Sequence, residues 1–337
     1  MPRPYDDERG DDLRGEPNFD EPGFETPQAK PPRRLRRAGL GAILLLAAAL
    51  ALYYPLGALF LPSIDDDPDF AVSPPPPIGA SRAVAMAAQL VEREVDARHW
   101  AANDPFFLPG WMLDDLPNFQ TGIVAGLVRV LQPLAEQAGR ARGQGRPDAD
   151  LDRALGLLKY PGDVWIMDWK AGFGATASSE AQYRAAYKAL RSYNERVAAK
   201  RAVFERRPEA LSAVLDAVMQ DIDTQAALVE KQFAESAGNI LDFTADDLFY
   251  SAKGRLYAYS LFLRELGVDF ERALAEKKAE PAWRRMLDAV RDTAGLRPWI
   301  VINGAPDSVL LPGHLAGLGY LLLRARVRVA EAAAALK

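Results

Sequence analysis

"PEALSAVLDAVMQDIDTQAALVEKQF", Pro208 to Phe233, decides the fold class. Leu211, Val214, Leu215, Val218, Met219, Ile222, Ala226, Val229 and Phe233 recur at spacings of three or four. That is the period of an α-helix burying one face. Pro208 suits the first turn, where its missing N–H costs nothing. The same period extends outward. Ser81 is placed to cap a helix running to Ala101, with Val84, Leu90 and Val91 among its apolar positions. Asn118 is placed to cap the next, whose stripe is Ile123, Leu127, Val130, Leu131 and Leu134. Shorter helices are expected over Asp150–Lys159 and Ser179–Val203.

Downstream, Ala245 to Gly267 is apolar nearly all round, with Leu248, Phe249, Leu256, Tyr257, Leu261, Phe262 and Leu266. A helix apolar on every side is surrounded by protein, so this one belongs at the bundle centre. A last long helix is expected over Ser308–Leu336. Its run "VLLPGHLAGLGYLLL" is short for a membrane span and ends in Arg324, Arg326 and Arg328, which favours core. Gly313 and Gly317 make a G-x-x-x-G step, a weak signal outside a bilayer. Only "VWIM" (Val164–Met167) and "WIVIN" (Trp299–Asn303) read as strands. The expected fold is all-α: a multi-helix bundle over 81–337 with at most two short strands.

The N-terminal region reads differently. Met1 to Ala29 holds nine acidic and three basic residues with few apolar ones, the composition of a disordered tail. Lys30, Arg33, Arg34, Arg36 and Arg37 then precede a run without charge from Ala38 to Ile64. Leu40 to Phe60 supplies the roughly 20 apolar residues that span a bilayer as a helix. Cations beside a first span stay cytoplasmic, and Asp65, Asp66 and Asp67 fall on the far side. Three segments follow: a tail over 1–37, a single-pass anchor over 38–62, and a periplasmic domain reached through 63–80. This places the chain in a bacterial inner membrane. A cleaved signal peptide would have a shorter basic region and a shorter core, and a buried soluble helix would lack the arginine cluster. "DDDPDFAVSPPPPIGA" (Asp65–Ala80) reads as a stiff polyproline spacer holding the domain off the membrane. A domain starting near Ser81 is therefore expected to fold alone.

Several function classes are excluded or disfavoured. The 337 residues carry a net charge of −5, without the basic stripe that nucleic acid requires. Cysteine is absent, which removes thiol catalysis, disulfides and Cys-ligated metals. His99 and His314 are far apart, and no H-E-x-x-H set holds either, so both read as structural. Asp307, Ser308 and His314 lack a G-x-S-x-G frame, and Asp307-Ser308 reads first as a helix start. Asp246-Asp247 follows Thr244 and suits a helix N-terminus. No catalytic, cofactor or metal residue is assigned, and enzymatic activity is not expected.

Aromatics in Gly/Pro-rich connections remain: Phe106, Phe107, Trp111, Phe119, Trp165, Trp169 and Phe173. Such residues anchor interfaces or plug bundle ends. Plugging is the favoured reading, with Phe106, Phe107 and Trp111 inside. Trp111, Asn118, Trp165, Trp169, Asn303 and Asp307 are the candidate contacts to a ligand or an envelope protein partner. The expected role is binding or scaffolding, with reporting across the membrane as an extension of it; the alternative is a periplasmic hydrolase of cell-wall or lipid material.

Five blocks in order carry a resemblance: "NDPFFLPGWMLDDLPNFQTGI" (103–123), "YPGDVWI" (160–166), "VFERRPEAL" (203–211), "DDLFYSAKGRLYAYSLFLRELG" (246–267) and "NGAPDSVLLPGHLAGLGYLLLRAR" (303–326). With them the chain resembles the domain of unknown function 2333 family of bacteria. The resemblance implies one membrane anchor and a large helical region behind it. It implies no activity, cofactor or catalytic residue.

Overall fold

The computed structural model describes residues 33–58, 63–141, 143, 147–168, 174–235, 243–297 and 314–337. The fold is all-α, with ten α-helices among the described residues. The chain divides into two compact units, Met1–Leu50 and Ala51–Lys337. The described part of the first is helical and belongs to α1 (Arg33–Ala58), where Leu44, Leu45 and Leu46 are all exposed. Among the described residues, no helix is long and apolar enough to cross a membrane. The described apolar side chains of α1 run unbroken from Leu40 to Tyr54, about 22 Å of helix at about 1.5 Å per residue. The remainder of the expected span reaches residues 59–62, outside the described ones.

The second unit begins with α2 (Arg82–Glu92). Ser81 caps it as expected, accepting from the Val84 N–H. The helix ends earlier than its apolar period suggested, because a π turn over Arg93–Ala97 takes over. A 3₁₀ turn, Pro109–Met112, leads to α3 (Asp115–Ala141). Asn118 is thus inside the first turn of α3 and is not its cap. α4 (Ala149–Leu158) is capped by Asp148, and α5 (Ser179–Ala198) by Ser178. α6 (Pro208–Glu235) follows the stripe read from its sequence, with Leu211, Val214, Leu215, Val218 and Ile222 buried. α7 (Phe243–Asp269), α8 (Glu271–Glu276), α9 (Glu280–Ala294) and α10 (His314–Ala335) complete the bundle.

α7 lies at the centre, packed on α2, α3, α6 and α9, as an all-round apolar helix must. Its closest partner is α3, and glycine sets the approach. A methyl placed on Gly254 would meet the Phe119 carbonyl oxygen at 2.1 Å, and one on Gly122 the Ser251 carbonyl oxygen at 2.3 Å. The close crossing therefore uses Gly122 and Gly254. Gly317, of the step singled out in sequence, has open space around its Cα, and Gly313 lies outside the described residues.

The strand expectation is corrected in detail. Of "VWIM" only Met167 is in a strand: Met167–Asp168 pairs antiparallel with Gly174–Ala175. "WIVIN" lies outside the described residues.

The larger correction concerns 63–80. This segment is strapped across the bundle, with Ile64, Phe70 and Val72 packed against the core. The backbone carbonyls of an extended chain have no partners of their own, and here long side chains supply them. Arg93 donates to the Asp65 carbonyl at 3.1 Å, Tyr257 to Asp67 at 2.9 Å, and Arg264 to Pro68 and Phe70 at 3.0 and 2.5 Å. Ser73 and Gln89 exchange two hydrogen bonds of 2.9 Å. Pro74 to Pro77 line a pocket together with Ala85, Gln89, Arg191 and Asn194, and Pro74, Pro75 and Pro77 stay exposed.

Candidate functional site

The strap forms one wall of a cleft of about 760 Å³. Ser63 to Pro68 face Arg98, Leu113, Asp115, Leu116, Tyr250, Lys253 and Arg297 across it. α7 contributes Tyr250 and Lys253 one helical turn apart, and the start of α3 contributes Asp115.

On the strap side the charges are paired. Asp66 accepts from Lys253 at 2.7 Å and from Arg297 at 2.5 Å. Burial alone would raise the Asp66 carboxyl; hydrogen bonds from Arg297 and Lys253, then their charges, leave it below the usual carboxylate value. Lys253 goes the other way: burial lowers its ammonium further than Asp66 raises it. Lys253 also donates to the Leu296 carbonyl. Asp65 pairs with Arg98. Behind it Arg93 and Glu94, both buried, pair at 2.7 Å within the π turn, and Arg93 also donates to Tyr257 at 2.8 Å. The Arg93 guanidinium lies 4.6 Å from the Phe70 ring centroid, a cation–π contact that clamps the strap from above.

On the opposite side, where Asp115 lines the cleft and its acidic neighbours stand behind it, the charges are alike. Asp114, Asp115 and Asp246 each bring one carboxylate oxygen within 4.8 Å of the others. Burial, then the charge of Asp115, pushes the Asp246 carboxyl up to about 7. Burial also raises Asp115, and Asp247 beside them. Two like charges this close cannot both ionise cheaply, so the group holds a proton near neutrality. One oxygen of Asp246 is sealed from solvent and accepts no hydrogen bond from the protein. Three carboxylate oxygens also form the hard donor set that suits Ca²⁺ or Mg²⁺ better than zinc. His99 stands elsewhere, its ring Nε2–H donating to the Asp104 carboxylate at 3.1 Å, in keeping with its structural reading.

The candidate contact residues separate. Asn118 joins the acidic wall, donating to Asp247 at 2.6 Å and to the Asp114 carbonyl at 2.9 Å. Trp165 is half-buried, its ring 5.5 Å from Phe107. Trp111 is 59% exposed and Phe106 62% exposed, with Phe107 at 41%. The expectation that these three plug the bundle end is overturned. The 3₁₀ turn starting at Pro109 holds Trp111 on the surface, and the plug is instead Trp100, fully buried and donating to Gly162 at 2.8 Å. Trp169, Asn303 and Asp307 lie outside the described residues. Sequence reading gave Asp246 to a helix start, where it does lie, and Asp65 and Asp66 to the spacer; it passed over Lys253 and the pairing of Asp65 and Asp66. The missed signal was the "DDD" run itself: three acids followed by a Pro-rich segment look solvated unless the cations that meet them are known.

The chain matches the bacterial family described as "Uncharacterized protein conserved in bacteria (DUF2333)" over residues 77–240 and 211–311. The chain belongs to that family. No curated protein and no solved structure matches it. Within this family member, the match begins in the proline run, after the strap wall Ser63 to Pro68, and covers the rest of the cleft lining from Arg98 to Arg297.

Proposed function

We propose that this family member is a single-pass inner-membrane protein whose periplasmic bundle binds an envelope component in the strap cleft. The observation that carries the reading is that the cleft wall, Ser63 to Pro68, lies only a few residues after the helix that would be the anchor. The anchor itself is supported by the arginine cluster, the uncharged run to Ile64, and the exposed leucines of α1. A ligand that takes Arg98 or Arg297 from Asp65 or Asp66 alters the strap's hold, and the strap is continuous with the anchor. Occupancy of the cleft is thereby coupled to the membrane segment.

The test is crosslinking in intact cells with a photoreactive residue at Leu113, followed by mass spectrometry. One envelope component should be captured there and not from the same residue at Leu228 on α6. Equal capture from both positions would reject the cleft as the binding site. Topology is checked with a phosphatase active only in the periplasm, fused after Lys337: it should be active, and an inactive fusion would reject the anchor reading.

A hydrolase is the second reading, favoured by the proton that Asp115 and Asp246 share. Paired carboxyls with separated affinities for a proton serve as general acid and base. It predicts that the full chain in detergent releases soluble fragments from cell-wall or lipid substrates and that Asp115→Asn stops this. No release from either substrate leaves binding as the function.

A further inference from the structure

The aromatic loop that failed to enter the core is fixed to one place, the C-terminal end of α1. Tyr54 donates to the Phe106 carbonyl at 2.6 Å and Tyr53 to the Phe107 carbonyl at 3.0 Å. Gly57 abuts the Pro109 ring so closely that a methyl on Gly57 would stand 2.3 Å from its Cγ. Three contacts over about one turn of helix therefore clamp the loop, and its own 3₁₀ turn stiffens it. The clamp uses loop carbonyls and a proline ring, which leaves the aromatic side chains free to face outward. Phe106 and Phe107 pack edge to face at 5.4 Å, Phe107 meets Trp165, and Ile166 beyond them is 54% exposed.

Such a cluster is costly in water unless something apolar covers it. Its position states what does. The tyrosines that hold it stand in the periplasmic third of the expected span, Tyr54 six residues before Phe60, just beneath the level at which Tyr and Trp collect at a bilayer surface. A ring with one polar edge gains there from both phases.

We propose that Phe106, Phe107 and Trp111 form a foot seated in the periplasmic leaflet, between its headgroups and the upper part of its acyl chains, beside the anchor. This rests on the anchor reading. The foot fixes the orientation of the bundle on the membrane, since a second contact beside a single span stops the domain swinging. The strap then runs from that surface into the cleft, with the bundle held close to the bilayer.

The natural chain has no cysteine, so single spin labels can be placed without altering its background. Phe106→Cys, Trp111→Cys and, as a control on α6, Leu228→Cys are each labelled in the full chain. Each is then reconstituted in vesicles of phosphatidylethanolamine with a minority of phosphatidylglycerol. Labels at 106 and 111 should be accessible to oxygen and shielded from a water-soluble nickel chelate, and the label at 228 the reverse. Alkaline carbonate extraction is run on the same samples. Labels at 106 and 111 as open to nickel as 228, in protein that resists carbonate, overturn the foot and keep the anchor. Labels shielded from both reagents mean that protein covers the patch, which also overturns it. Protein that carbonate releases rejects the anchor and, with it, a foot beside that anchor, whatever its labels report.

Discussion

Asp66 and Lys253 meet at 2.7 Å with 8% and 3% of their side chains exposed. The two come from the strap and from the central helix, so a segment outside the bundle's periodic helices supplies the counter-charge to its core. Removing one partner of a buried pair leaves the other charged, dry and unpaired, at about 3–5 kcal/mol. Asp66→Ala should lose that much in urea denaturation, and Lys253→Met in the same chain should restore part of it. A double variant whose loss is the sum of the losses of Asp66→Ala and Lys253→Met alone would show that the pair is not coupled.

Truncation extends the same logic. A chain starting at Ser81 lacks the partners of Arg93, Lys253 and Arg264, whereas one starting at Ser63 keeps them. The Ser63 chain should melt cooperatively as a helical domain by circular dichroism. The Ser81 chain should melt at least 10 °C lower, given several lost polar contacts at about 2–4 °C per kcal/mol for a domain of this size. Equal melting temperatures would mean that the strap is held only loosely.

The proton shared on the acidic wall has a defined pH signature. The Asp246 carboxyl sits near 7 in the fold against 3.8 unfolded, so the folded state binds the extra proton between those values. Stability must then fall as pH rises through that window. Because Asp246 is partly solvated, the effect is a fraction of the full linkage. Asp246→Asn should flatten the slope between about pH 4 and 7 and raise the melting temperature at pH 8 by about 2–5 °C. A slope unchanged in the variant would place the proton elsewhere.

Sequence periodicity found the helices that bury one face or all faces. α6 and α7 were legible because Leu211 to Phe233 and Leu248 to Leu266 each repeat one environment along their length. The strap was illegible for the opposite reason. Asp65 to Pro77 has no period, and its burial depends on Arg93, Lys253 and Arg264, which sit on helices far along the chain. Gly122 and Gly254 were likewise silent, since a glycine in a helix reads as a weakness until the facing backbone is known. α9 went unread because its buried positions, Trp283, Met286 and Val290, are diluted by five charged neighbours between Arg284 and Asp292.

Those glycines carry their own prediction. With carbonyl oxygens 2.1 and 2.3 Å from where a methyl would go, α3 and α7 must separate to admit one. Gly254→Ala should cost about 1–3 kcal/mol or more in chemical denaturation, as overpacking does. Gly317→Ala, with open space, should be neutral or slightly stabilising, since Ala is the better helix former.

Two tryptophans eleven residues apart settle what the aromatic segment does. Trp100 is fully buried, stacks edge to face on Tyr183 at 4.9 Å, and donates its indole N–H to Gly162. Trp111 is 59% exposed on the loop clamped to α1. Burial predicts opposite outcomes for the same substitution. Trp100→Ala should cost about 3–5 kcal/mol, since it opens a cavity and orphans a buried carbonyl. Trp111→Ala should stay within about 0.5 kcal/mol of the parent in detergent, as surface changes do. Thermal denaturation of the two variants side by side measures both. A large loss at Trp111 would return that residue to the core and remove the surface on which the membrane foot depends. A small loss at Trp111 with a large one at Trp100 makes Trp100 the plug of the bundle end and leaves Trp111 free to meet something outside it.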